Sequence, residues 1–196
     1  MNKLKRSLIS YQKDINEIDY ISQNIDFLFK AKNQRIHGIL SPYSNTYESV
    51  LGTIETLTRN LAKLYGFRSL IVDVSVGGDN SVKNKISTYG LDQNESGIYS
   101  NSEGDLNFLL RNDSLEKYHM SLMNDFICWK SIDESKKNYD LLFLLPSLNN
   151  PGCITKFKIN TDVQWLFITK NNAPKIYRNL SSLNVYDAPF AGIVTV

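Results

Sequence analysis

The chain has 196 residues, 42% of them hydrophobic and 21% charged, with 11 Tyr and 9 Phe. That length and composition exclude a disordered chain and predict one folded domain, 1–196, with a core that needs no staples. The 22 basic and 20 acidic residues leave a formal charge of +2, too small to mark a nucleic-acid binder, so no nucleic-acid partner is expected.

In chain order, the first segment, about 4–31, sets Leu8, Tyr11, Ile15, Ile18, Ser22, Ile25 and Phe29 on a heptad spacing and predicts an amphipathic helix. A strand-sized apolar run, Ile36 to Leu40, follows. Tyr47 to Tyr65 carries Val50, Leu51, Ile54, Leu57, Leu61 and Leu64 at spacings of three and four, and Gly66 closes it where a helix needs a left-handed residue. Ser69 to Val74 is a second strand. Gly77 to Asp105, rich in Gly, Asn and Ser, reads as a long surface excursion with room for a short helix. Leu106 to Leu110 is a strand. A helix is predicted from Ser114 to Trp129, capped by Asp113 or Ser114, then strands at Leu141 to Leu145 and Val163 to Ile168. Ala173 to Leu183, with Pro174 in its first turn, predicts a last helix before a strand at Phe190 to Val196. Most apolar runs are continuous, as in strands covered on both faces. The fold class is therefore α/β, a three-layer sandwich around a mostly parallel central sheet.

Cys128 and Cys153 form no CxxC, and only His37 and His119 could complete a metal site with them, so no metal is expected. Two unpaired thiols and an N-terminal stretch without a signal-peptide apolar region predict a cytoplasmic protein. No apolar run approaches membrane-spanning length, so a membrane would be reached only through a partner. The thiols read as structural, His37 as a packed or edge histidine, and His119 as part of a structural helix. Lys3, Lys5, Arg6, Lys136 and Lys137 are open to two readings, a solvated face or a contact with anionic lipid or an acidic partner.

In an open parallel sheet the ligand is expected beyond the carboxyl ends of the strands, which directs attention to the turns after Leu40, Val74 and Leu145. The strings around them carry a resemblance. HGILSP over 37–42, NLAKLYGFRSLIVD from Asn60 to Asp73, NYDLLFLLP from Asn138 to Pro146, WLFITK from Trp165 to Lys170 and GIVTV from Gly192 occur in an order and spacing similar to the deviant P-loop ATPases of the MinD and ParA type. They most resemble the cytoplasmic tyrosine-kinase domain of bacterial exopolysaccharide co-polymerases. The resemblance implies a P-loop NTPase-like fold with a nucleotide site whose remnants are Ser41, Pro42, Gly52, Thr53, Asp73, Ser75 and Leu145.

The departures bear on function. A phosphate loop needs glycines whose N–H groups close on phosphate, a Lys to neutralise it and a Ser or Thr for Mg²⁺. Here the stretch is SPYSNTYESVLGT, with a single Gly52 and no Lys between Lys32 and Lys63. Counting back from the shared 66–73 segment puts the family's lysine near Leu51. Leu145 stands where the family has an Asp behind the magnesium-bound water, Ser75 replaces the second acid of a DxD pattern, and Val196 stands where an Asn reads adenine. Asp73 alone matches, either as a metal-site remnant or as an acid capping the turn. Each charge-assisted hydrogen bond lost to a phosphate is worth about 1.5–3 kcal/mol, so ATP and Mg²⁺ binding are not expected.

The sequence thus reads as a pseudo-ATPase, a pseudokinase without catalytic residues, and its resemblance implies a scaffold or regulator of exopolysaccharide synthesis and export. Its partner would be the cytoplasmic face of an inner-membrane polysaccharide co-polymerase or synthase, with recruitment to that membrane, and a homo-oligomer is compatible with the family. In the resembled kinases the N-terminal helix carries an ExxRxxR ring contact. Here Glu17 remains but no Arg lies between Arg6 and Arg35. That helix either covers a flank of the sheet or offers an interface through Leu8, Tyr11, Ile15, Glu17, Ile18, Ile25 and Phe29. The family's tyrosine-rich tail has no counterpart after Val196. Two other readings stay open: a MinD-like or pilus-assembly localisation protein, and a nucleotide-binding enzyme completed by a partner's cationic residue.

Overall fold

The computed structural model describes residues 17–40, 47–73, 81–94, 97–110, 132–145, 161–168 and 190–195. Their elements run α1 (Glu17–Lys32), β1 (Ile36–Leu40), α2 (Tyr47–Tyr65), β2 (Ser69–Asp73), α3 (Ser81–Tyr89), β3 (Asp92–Gln93), β4 (Ile98–Ser100), β5 (Asn107–Leu110), β6 (Leu141–Leu145), β7 (Val163–Ile168) and β8 (Phe190–Thr195). One sheet holds all the strands in the order β3-β4-β5-β2-β6-β1-β7-β8. From β5 to β8 every pairing is parallel, and β3 and β4 join antiparallel at one edge. This is the mostly parallel α/β sheet that the sequence predicts. The helices expected over 114–129 and 173–183 lie outside the described residues.

The continuous apolar runs are the cause of the central position of β1, β2 and β6, each buried along its whole length. Ile39, Ile71, Phe143, Leu145, Trp165 and Phe167 face α1 and α2, joined by Val50, Leu51, Ile54, Leu57 and Leu61 of α2. Leu40, Leu70, Val72, Leu142, Leu144 and Leu166 line the opposite face with Ile132 and Tyr139.

Both long helices end in the same way. Gly66 adopts φ 71°, its N–H bonds to the Ala62 carbonyl, and the Phe67 N–H reaches back to Leu61. Asn33, at φ 51°, does this for α1, with Asn33 bonded to Phe29 and Gln34 to Leu28. Phe29 and Phe67 then meet at 4.8 Å, so the two caps also pack the helix ends together.

The excursion read over 77–105 is not a loop alone. It contains the short helix α3, and also β3 and β4, which extend the sheet. Two turns of one design create those strands. Asn94 and Asn101 each accept with Oδ1 from the N–H of the returning strand, at Ile98 and Leu106, and Gly97 and Gly104 supply the positive φ that closes each turn. In the sequence these are NESG and NSEG. The strands between them are so short that their turn residues dominate the composition.

At the amino edge of the sheet, residues just ahead of the strands bind their neighbours' backbones. Asp140, before β6, accepts from the Arg68 N–H at 2.8 Å. Asp162, before β7, accepts from the N–H groups of Arg35 and Ile36 at 2.7 and 2.8 Å. Arg35, before β1, donates to the carbonyls of Tyr139 and Asp140. One half-buried carboxylate oxygen thus satisfies two backbone donors at the start of a central strand. Asp162→Ala is expected to lower the unfolding free energy by about 2–3 kcal/mol, with Asp162→Asn losing less. Urea denaturation measures this, and a loss below about 0.5 kcal/mol in the alanine variant would refute the role.

His37 is a packed core residue, fully buried on the α2 face between Phe143 and Trp165. Its Nδ1 accepts from the Trp165 indole N–H at 3.0 Å, so the neutral ring carries its proton on Nε2, which has no hydrogen-bond partner. Burial pushes its pKa down to about 4, against the weaker opposing pull of Asp162 and the Gln34 backbone. The unfolded chain, with an ordinary histidine near 6.5, therefore takes up the proton first as pH falls. Stability present above pH 6.5 is lost progressively down to pH 4, by about 3 kcal/mol in all. His37→Gln is expected to flatten the stability profile in that window. An identical acid slope in wild type and variant would overturn the assignment.

Candidate functional site

The carboxyl edge of the parallel strands ends, from β5 to β8, at Leu110, Asp73, Leu145, Leu40, Ile168 and Thr195. Asp73 is aligned with Leu145 on one side and Leu110 on the other. Its carboxyl group is largely buried on the α2 face. Leu145 is buried in the same core, beside the acid, in the place where the resembled ATPases need an acceptor. At this strand end Leu145 is part of the core packing. Ser41, Pro42 and Ser75 lie outside the described residues.

The first turn of α2 is the next part of the site, because in a phosphate loop the Lys and the Ser or Thr open the helix after β1. Here that turn holds Glu48 and Ser49, both exposed. Leu51, where counting back through the sequence places the lysine, is fully buried in the core. The first turn of α2 thus carries the acid Glu48 and no Lys. A carboxylate in the first turn of a helix is stabilised by the helix dipole at about 0.3–1 kcal/mol.

Gly52 and Thr53 lie one turn further along α2, away from its N-terminus. The Thr53 hydroxyl donates to the Ser49 carbonyl at 2.8 Å, within the helix. A Cβ on Gly52 would meet nothing within 4 Å and its φ is not positive, so neither space nor backbone requires glycine there. Among the described residues there is no group of three or more His, Cys, Asp or Glu that could hold a metal, and no helix long and apolar enough to cross a membrane.

Of the proposed interface positions, Leu8, Tyr11 and Ile15 lie outside the described residues. Ile25 is fully buried, and Ile18 and Phe29 pack half-buried against the same core. Glu17 accepts from the Thr195 N–H at 3.4 Å, and Asn60 of α2 donates to both Asp19 and Ser22 of α1. In the described part of α1 the heptad stripe faces the domain's own core, the flank-covering role. Sequence reasoning missed Glu48, which helical phase from Tyr47 could have found, and Glu55, a buried acid inside the apolar stripe of α2.

Gly52→Ala is expected to raise stability by about 0.5–1 kcal/mol, since it removes backbone entropy from the unfolded chain and meets no clash. A lower urea midpoint would show that the position does require glycine.

No family model matches the sequence, and no curated protein is similar to it. Solved structures are. The kinase domain of the Escherichia coli tyrosine kinase ETK superposes with a TM-score of 0.64 at 14% identity, over 91% of this chain and 73% of that one. The chimerical protein CapA2B2 gives 0.59 at 16% identity over 97% and 89%. A ParA family ATPase from Chlorobium tepidum gives 0.53 at 12% identity over 83% and 73%. The chain therefore has the P-loop NTPase-like fold shared by the bacterial tyrosine-kinase domains and the ParA-type ATPases.

Proposed function

We propose that this protein is a non-catalytic relative of the bacterial tyrosine-kinase domains, a scaffold or regulator in exopolysaccharide synthesis and export. Its partner in this reading is the cytoplasmic face of an inner-membrane polysaccharide co-polymerase or synthase. The observation that carries the proposal is the pairing of Glu48 with Leu145. The first turn of α2 presents a carboxylate where a triphosphate needs a cation, and the end of β6 presents a buried leucine where the magnesium shell needs an acceptor. Phosphoryl transfer depends on positioning and charge stabilisation, so both losses fall on the terms that produce the rate. The six residues between β1 and α2 in the sequence, SPYSNT over 41–46, include neither Gly nor Lys.

The pathway part of the reading rests on the resemblance of the five strings and on the likeness in fold to the ETK kinase domain and the BceF tyrosine kinase domain. A fold that keeps its helical flanks after losing nucleotide keeps surfaces on which other proteins dock. Calorimetric titration with Mg-ATP and with Mg-ADP is expected to give no binding heat, and neither nucleotide is expected to raise the melting temperature. Saturable binding of either would sink the pseudoenzyme reading. Affinity purification from native cells is expected to recover a polysaccharide co-polymerase. Recovery of pilus-assembly or division proteins in its place would refute the pathway.

A further inference from the structure

We propose that α3 is a latched element, fastened to α2 through the Glu55 carboxylate and able to open as a unit while the rest of the core stays closed. The described part of α3 brings little apolar surface to its neighbours. Among its described side chains Ile86 alone is buried, while Asn84, Ser87, Thr88 and Tyr89 are exposed. Ile86 joins the core that α2 lines, and the remaining contacts between the two helices are polar. Glu55 is 6% exposed, its Oε2 accepts from the Tyr89 hydroxyl at 2.8 Å, and the Lys85 ammonium stands 3.5 Å from the same oxygen. Oε1 is buried with no hydrogen-bond partner. Both contacts of a nearly buried charge therefore fall on one oxygen, and both come from α3, one helical turn apart.

The surroundings make these contacts cooperative. Lys85 and Arg59 stand 5.5 and 5.8 Å from the centre of the Tyr89 ring, so the ring is held between a cation of each helix. Burial alone would lower the Lys85 pKa, but the Glu55 carboxylate and Tyr89 outweigh it and hold the ammonium above its ordinary value. Removing either donor leaves the carboxylate desolvated with a single contact, a state the structure relieves by letting water in. Segments with few buried apolar contacts open before the core does. By contrast, α2 buries Val50, Leu51, Ile54, Leu57 and Leu61 and has much more to lose. In the chain α3 is the next described element after β2, and it packs beside α2 and β5. The inference does not depend on the polysaccharide reading.

Amide hydrogen exchange of the full chain tests it. Tyr89→Phe and Lys85→Met are each expected to speed exchange in α3 by about tenfold or more, while amides of α2 and β2 stay within about twofold of wild type. Unchanged exchange in α3 in both variants would overturn the proposal. So would an equal acceleration throughout α2 and the sheet, which would show that α3 opens only with global unfolding.

Discussion

Burial of the central strands on both faces is the constraint from which the rest follows. Between β2 and β7 no side of the sheet meets water, so strand ends cannot rely on solvent to complete their backbone hydrogen bonds. At the amino edge the protein answers with charge. Asp140, Asp162 and Arg35 each sit immediately before one strand and bind the backbone of the next. Hydrogen bonds to charged groups are worth about 1.5–3 kcal/mol each, enough for a few of them to fix which strands lie side by side. The core adds a second polar lock, the indole of Trp165 on His37. Gly192 gives that indole its room: a Cβ there would stand 3.3 Å from the ring.

The two edges of the sheet are consequently unlike. The amino edge is closed by side chains that bind the backbones of neighbouring strands. At the carboxyl edge and the helix that follows β1 stand Leu145 and Glu48. Glu48 places an acid in the first turn of α2, and Leu145 extends the core to the end of β6. Each residue stabilises the domain locally, one through the helix dipole and the other through apolar burial.

Features set by local pattern were legible in the sequence. The apolar runs of β1, β2 and β6, the three-to-four spacing of α2 and the Gly66 cap are local signals, and they were sufficient for the α/β class. Features set by distant partners were not. Nothing near Asp162 in sequence announces that it caps residues 35 and 36, and nothing near Glu55 announces Tyr89. The strands β3 and β4 were hidden because antiparallel pairing at an edge needs only two or three residues, fewer than any periodicity can report. In the nucleotide-site remnant the register was the weak point. A count through residues 41–65 cannot tell a loop position from a helix position, whereas burial of Leu51 can.

The same distinction bears on α1. Its heptad spacing alone is compatible with a seam to another chain and with a flank of this one. Burial of Ser22 and Ile25, with Ile18 and Phe29 against the core and Asn60 bridging to Asp19 and Ser22, assigns that stripe to the flank. A helix has only one set of positions at a given phase, so the stripe cannot also form a contact between copies without leaving its own core. Any partner of the described part of α1 must meet its outward side, where Phe27 is 60% exposed and Lys30 is paired with Asp26. The heptad stripe of Ile18, Ser22, Ile25 and Phe29 thus packs against the domain's own core.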